Sequence, residues 1–151
     1  MEEFLFRAKE EMKRVDHLIY VSLKYTRTAD VLHSVINRMI STYDELLGGF
    51  VHKLHEEGKI EDAPKYPNKR AEIVLEQFKE NDQVTQNIKL YLLLKKIYNA
   101  EFSRANEYRR NVTLISHLDT ENYDVTIDSV TEDYKRMQEF MEYIEEHNLV
   151  E

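Results

Sequence analysis

Apolar residues recur at steps of three and four along most of this chain, and the stripes they form predict helices. Phe4, Ala8, Met12, Val15, Ile19 and Ser22 share one face, so residues from about 2 to 25 read as a first amphipathic helix with His17 on the opposite, exposed side. Leu32, Val35, Ile36, Met39, Tyr43, Leu46, Leu47, Phe50 and Leu54 predict a second helix that runs to Glu57 and stops at Gly58. One straight rod through both stripes would bury two different sides, so a break is expected at Thr26-Arg27-Thr28. Gly58, Pro64 and Pro67 mark residues 58 to 67 as the clearest loop. Beyond it Ala71, Val74, Leu75 and Phe78 predict a short third helix, and Asp82 stands in place to cap the next one.

The fourth stripe, Val84, Ile88, Tyr91, Leu94, Tyr98, Phe102 and Ala105, is the most regular in the chain. Continued as a helix, it sets Glu101 amid Leu94, Ile97, Tyr98, Ala105 and Tyr108, near the middle of an apolar face. A carboxylate buried there needs a partner such as Arg27, Arg38, Arg104 or a Tyr hydroxyl; without a cation its pKa rises and it becomes able to act as an acid or base. From Asn111 to Asp128 the helical period fades. Val112-Thr113-Leu114-Ile115 and Val125-Thr126-Ile127 suit two short β segments around a turn in Asp119 to Asn122. Ser129 with Glu132 is a capping-box signal, and Val130, Tyr134, Met137, Met141 and Ile144 predict a final helix. The expected fold is therefore all-α: a single domain over residues 1–151, closed as an antiparallel four- or five-helix bundle, with a short β-hairpin admitted near residues 112–127.

Composition narrows the chemistry. With 151 residues the chain is long enough for a real core, and with no cysteine it has no disulfide, zinc-thiolate site, iron-sulfur cluster or thiol nucleophile. No stretch approaches the ~20 apolar residues of a membrane span. Met1-Glu2-Glu3-Phe4 lacks the basic flank and apolar run of a signal peptide, so a cytoplasmic protein is expected. Glycine motifs for phosphate loops, dinucleotides or the hydrolase elbow do not occur, and neither does Glu-x-x-His, so no cofactor and no metal site are expected. His52 and His55, just before Gly58, fit residues that complement a helix C-terminus. The pair Gly48-Gly49 inside the second helix marks a kink or a close helix crossing.

Charge changes the picture most. The formal net is −8, yet residues 86–118 carry Lys89, Lys95, Lys96, Arg104, Arg109 and Arg110 against only Glu101 and Glu107. Interleaved with Tyr91, Tyr98 and Tyr108, such cations suit RNA, gripping phosphates while an aromatic ring stacks on a base; Arg104, Arg109, Lys95 and Lys96 are the expected contacts. Against this, Tyr91 and Tyr98 lie on the buried stripe, and the field of an acidic protein opposes the encounter. Residues 119–151 hold eleven acids against Lys135 and Arg136, so part of the basic charge is expected to be answered within the chain.

The basic segment ends in Arg110-Asn111, with six residues between Arg110 and His117. On a helix the two would lie about two turns apart on one side, the His able to move a proton and the Arg able to hold a phosphate. Arg followed by a polar residue, then a short interval and His, resembles the signature of the HEPN superfamily of helical-bundle proteins, which includes metal-independent RNases. That resemblance implies catalytic roles for Arg110, Asn111 and His117, and a homodimer that brings two such pairs together on RNA. Arg27 and His33 also fit the spacing. The competing expectation is a non-catalytic interaction module that dimerises or docks a partner protein through apolar surface at Ile40, Leu47 and Val51.

Overall fold

The computed structural model describes residues 3–151, so Glu2, where the first helix was expected to begin, lies outside the described residues. Helix α1 (Glu3–His17) continues through a π-helical turn (Leu18–Ser22) into α2 (Leu23–Tyr25), one rod that ends where the sequence predicts it. Leu5, Ala8, Val15, Ile19 and Leu23 are its buried stripe. Helix α3 (Ala29–Glu56) starts under Thr28, whose side chain accepts from the Val31 N–H, and it is followed by Gly58 at φ +72°. The left-handed residue just past the helix turns the chain away and leaves open the loop before α4 (Pro67–Gln77).

Gly48-Gly49 serves a close approach. A Cβ on Gly48 would lie 2.5 Å from a ring carbon of Phe4, and one on Gly49 would lie 2.9 Å from the Cβ of Val150. Phe4 and Val150, near the two ends of the described residues, therefore meet on α3. The Glu151 N–H donates to the Gly49 carbonyl, and the Glu151 side chain accepts from the backbone N–H groups of Phe4 and Leu5 at the start of α1.

Helix α5 (Asp82–Asn99) is capped by the side chain of Asn81, one residue before the expected Asp82. It stops at Asn99, because Ala100 turns extended with ψ 158°, and the chain continues as strand β1 (Phe102–Ala105). With β2 (Thr113–His117) and β3 (Asn122–Thr126) it forms a three-stranded antiparallel sheet in the order β1-β2-β3. The all-α expectation is thereby corrected: helices dominate, but a sheet caps one end of the core. The β2–β3 hairpin falls in the region where the helical period fades, but β3 begins three residues before the expected Val125 and Ile127 opens α6; β1 takes residues that the apolar stripe gives to the fourth helix. Phe102 still turns inward, 4.9 Å from the His33 ring, so it satisfies the apolar stripe from a strand.

Glu101 is corrected with it. It lies in the link between α5 and β1, exposed, and its carbonyl accepts from the His117 N–H. No buried carboxylate is present at that position.

Helix α6 (Ile127–His147) is capped by Thr126, whose side chain and Ser129 satisfy each other's backbone N–H groups. Ser129 thus closes the box at the third helical position instead of opening it, and Glu132 is exposed. The inner face of the sheet, Leu114, Ser116 and Val125, is buried, with Ser116 Oγ donating to the Ile97 carbonyl at 3.0 Å. Ile40, Leu47 and Val51, expected as a docking surface, belong to the core and are at most 9% exposed. Among the described residues no helix is long and apolar enough to cross a membrane.

Candidate nucleic-acid interface

Strand β2 organises the candidate residues, and it separates them. Arg110 and Asn111 precede it and His117 ends it, so the strand between them, about 13 Å at 3.3 Å per residue, keeps the two ends apart. A helix would have set Arg110 and His117 on one side. In a single chain the strand does not bring them together.

At the arginine end, the loop from Asn106 to Val112 is fastened to the corner between α2 and α3. The Glu107 carboxylate accepts from the Ala29 N–H at 2.9 Å, adding a second cap to α3, and the Tyr108 N–H donates to the Arg27 carbonyl at 2.6 Å. Arg104 on β1 reaches Asp30 at 2.9 Å and Glu107 at 3.6 Å, and its guanidinium holds the Asp30 carboxyl below the usual carboxylate range. Within the loop the Arg109 N–H donates to the Asn106 carbonyl and the Val112 N–H to the Arg109 carbonyl. This fastening imposes left-handed backbone on two residues that are not glycine, Asn106 at φ 54° and Tyr108 at φ 68°. Asn tolerates that conformation; for Tyr it costs on the order of 1–2 kcal/mol.

The strained residue is also the exposed one. The Tyr108 side chain stands 77% exposed, with Arg109 and Arg110 following it and Tyr25, 78% exposed, across the Thr26-Arg27-Thr28 corner. Arg110 pairs with Asp128 at 2.8 Å, which is how the acidic C-terminal third answers the basic segment. Arg104 is engaged as described, and Nε of Arg27 is buried without a partner among the described residues. Arg109 makes no ion pair among the described residues. Beside the loop a hollow of about 600 Å³ is lined by Asn106, Arg110, Asn111, Thr113, Thr126 and Asp128.

Lys95 and Lys96 lie elsewhere. Lys95 donates to Asn68 on α4 and sits 5.2 Å over the Tyr91 ring, while Lys96 lines the hollow that reaches His117. The basic segment therefore divides into an arginine end and a lysine end. Tyr91 is buried and donates to Asp44 at 2.5 Å, and Tyr98 is half-buried and stacked on His33, so neither is a platform for a base. His33, of the second Arg and His spacing, is held by the Tyr98 carbonyl at 3.0 Å.

His117 has its own partners at the far end of the strand. Its Nδ1 lies 3.0 Å from Asn122 Oδ1 and its Nε2 lies 2.5 Å from Ser103 Oγ. Neither Ser103 nor Asn122 stands out in the sequence, because strand pairing, not spacing along the chain, puts them beside the imidazole. Tyr108 was visible as an aromatic among cations, but its left-handed backbone was not. Compared with known protein families, with curated proteins and with solved structures, this chain has no significant match.

Proposed function

We propose that the protein binds single-stranded RNA at the loop Asn106–Asn111, with the Tyr108 ring stacking on a base and Arg109 gripping the adjoining phosphate. One observation carries this reading: the chain holds a large aromatic residue, fully displayed, in a backbone conformation that glycine would adopt more easily. Two anchors to the α2–α3 corner, one through the Glu107 carboxylate and one through the Tyr108 N–H, fix the loop backbone before any ligand arrives, which lowers the ordering cost of binding. Arg110, Arg104 and Arg27 add positive charge around it, tempered by Asp128, Asp30 and Glu107. Stacking and one or two phosphate contacts suit a sequence-tolerant, salt-sensitive site. The reading needs neither cleavage nor a second copy; cleavage of the HEPN kind would need His117 of another chain to meet Arg110.

Fluorescence anisotropy with a labelled single-stranded RNA at low salt tests it. Tyr108→Ala is expected to weaken binding roughly tenfold, the scale of one lost base stack. Arg109→Glu is expected to weaken it further and to flatten the salt dependence. No binding by the wild-type protein, or equal binding by the double variant, would overturn the reading.

A further inference from the structure

The outer face of the sheet carries three polar side chains in a line across three strands. His117 and Asn122 are direct cross-strand partners, and Ser103 sits diagonally on the other side, opposite Ile115 and two residues along from the position that faces His117. Alternation puts all three on the face away from the core, and all three are exposed. We propose that Ser103, His117 and Asn122 form a nucleophile, base and orienting group that take the acyl group of a carboxylic ester.

The hydrogen bonds fix the direction of proton flow. Asn122 Oδ1 only accepts, so the Nδ1 of His117 carries the hydrogen of that 3.0 Å contact. The lone pair of the neutral ring is then on Nε2, 2.5 Å from Ser103 Oγ, and the serine hydroxyl donates to it. This is the order of roles a hydrolytic triad requires, assembled from three adjacent strands.

Strand pairing also supplies a donor for the developing oxyanion. The His117 N–H bonds the Glu101 carbonyl, which makes residues 101 and 117 a hydrogen-bonded pair. In an antiparallel ladder such pairs alternate, so Ser103 and Ile115 form the next one, and the N–H groups of Phe102 and Arg104 point away from β2. Because β1 is the edge of the sheet, the Arg104 N–H has no strand to pair with. It belongs to the residue after the nucleophile, the position from which backbone donors serve oxyanions elsewhere. A hollow of about 610 Å³ next to His117 has a mixed lining, Leu93, Ala100 and Leu118 beside Lys96, Asp119 and Glu121.

In the reaction Ser103 Oγ bonds the ester carbonyl carbon while its proton passes to His117 Nε2. The carbon–oxygen bond to the alcohol then breaks, and the alcohol leaves with that proton. Water repeats the sequence on the acyl-serine, releasing the acid and restoring Ser103. Arg110 and Tyr108 take no part.

Labelling with a fluorophosphonate, followed by peptide mass spectrometry, reads the nucleophile directly. The wild-type protein is expected to gain one adduct, on Ser103, and to hydrolyse p-nitrophenyl acetate with a burst. Ser103→Ala removes the adduct. His117→Ala removes it while leaving the serine in place, which separates activation from exposure. Asn122→Ala slows labelling at least tenfold and Asn122→Asp restores it, as a positioning residue requires. All three side chains are solvent-facing, and circular dichroism checks that each of the four variants is folded. No adduct on wild-type Ser103, or labelling at an unchanged rate in His117→Ala, would overturn the proposal.

Discussion

Two places in this molecule use glycine and its absence in opposite ways. In the middle of α3, where backbone geometry would accept almost any residue, the chain has Gly48-Gly49. In the loop before β2, where the backbone is left-handed, it has Asn106 and Tyr108. The helix glycines weaken α3 locally, by roughly 1 kcal/mol each relative to alanine, and in exchange the first and last residues described can close on it. The loop accepts strain of similar size while it fastens to the α2–α3 corner through Glu107 and the Tyr108 N–H, and it displays an exposed ring beside Arg109 and Arg110. Packing explains the first choice; the anchors account for the loop's backbone but not for a tyrosine at its left-handed position, which is the feature the proposed RNA site would use.

The largest expected effect tests the packing side. Gly49→Leu places a branched side chain where Val150 Cβ already stands 2.9 Å from an added Cβ, with Phe4 Cβ at 3.2 Å. Overpacking of this kind costs on the order of 1–3 kcal/mol, only partly offset by better helix propensity. Thermal unfolding should show a melting temperature lower by roughly 4–8 °C. Removing Leu149 to Glu151 also removes the Glu151 hydrogen bonds and buried Val150, so the truncation is made in both backgrounds and should cost the Gly49→Leu protein less than the wild type. An equal cost in the two backgrounds would mean that the glycine is not there to admit that segment.

The loop should respond with the opposite sign. Tyr108→Gly keeps the N–H that bonds the Arg27 carbonyl and relieves the left-handed strain, for a net gain of about 1 kcal/mol after the entropy glycine brings to the unfolded chain. RNA affinity should fall roughly tenfold with the ring gone. Tyr108→Ala separates the two effects, because alanine keeps the strain and loses the ring: affinity falls equally, and stability stays near wild type. A Tyr108→Gly protein less stable than wild type would mean that the ring holds the fold, and the contrast between the regions would disappear.

These two regions were unequally legible in the sequence. The helical body declared itself through periodicity: the stripe from Leu32 to Leu54, the break at Thr26-Arg27-Thr28 and the stop at Gly58 stand where apolar spacing and turn residues put them, while in the first helix Ala8, Val15 and Ile19 are buried as expected but Leu5 and Leu23, not Phe4 and Ser22, complete the stripe. The glycine pair announced a close approach without saying to what, since Val150 and Phe4 are about a hundred and about forty-five residues away along the chain. The sheet was half legible. The hairpin of β2 and β3 has β-branched residues and a turn, but β1 has neither glycine nor proline to end the helix before it, and Phe102 and Ala105 continue the three-and-four spacing of α5. A four-residue edge strand is too short for alternation to outweigh that stripe. Read as helix, this stretch puts Glu101 in the core and keeps Ser103 away from His117. The loop conformation was invisible, because asparagine hints at left-handed backbone and tyrosine does not.

The smallest expected effect is the sharpest test of what a helix glycine is for. Gly48 has shorter contacts than Gly49, with an added Cβ at 2.5 and 2.7 Å from Phe4 ring carbons, and 3.2 Å from Arg70 Nη1. Distance alone would make Gly48→Ala the worse substitution. The atoms it meets, however, are the far ends of two flexible side chains: Phe4 is half-exposed at the start of α1, and its ring can swing toward His52, which it already touches at 5.9 Å. At Gly49 the atom met is a Cβ, which moves only with its backbone. Gly48→Ala should therefore shift stability by less than about 0.5 kcal/mol, the displaced ring offsetting the gain in helix propensity. Gly49→Ala, compared by urea unfolding under the same conditions, should be the less stable of the two. The reverse order would show that the Phe4 ring, not the C-terminal segment, is the partner for which α3 keeps its glycines.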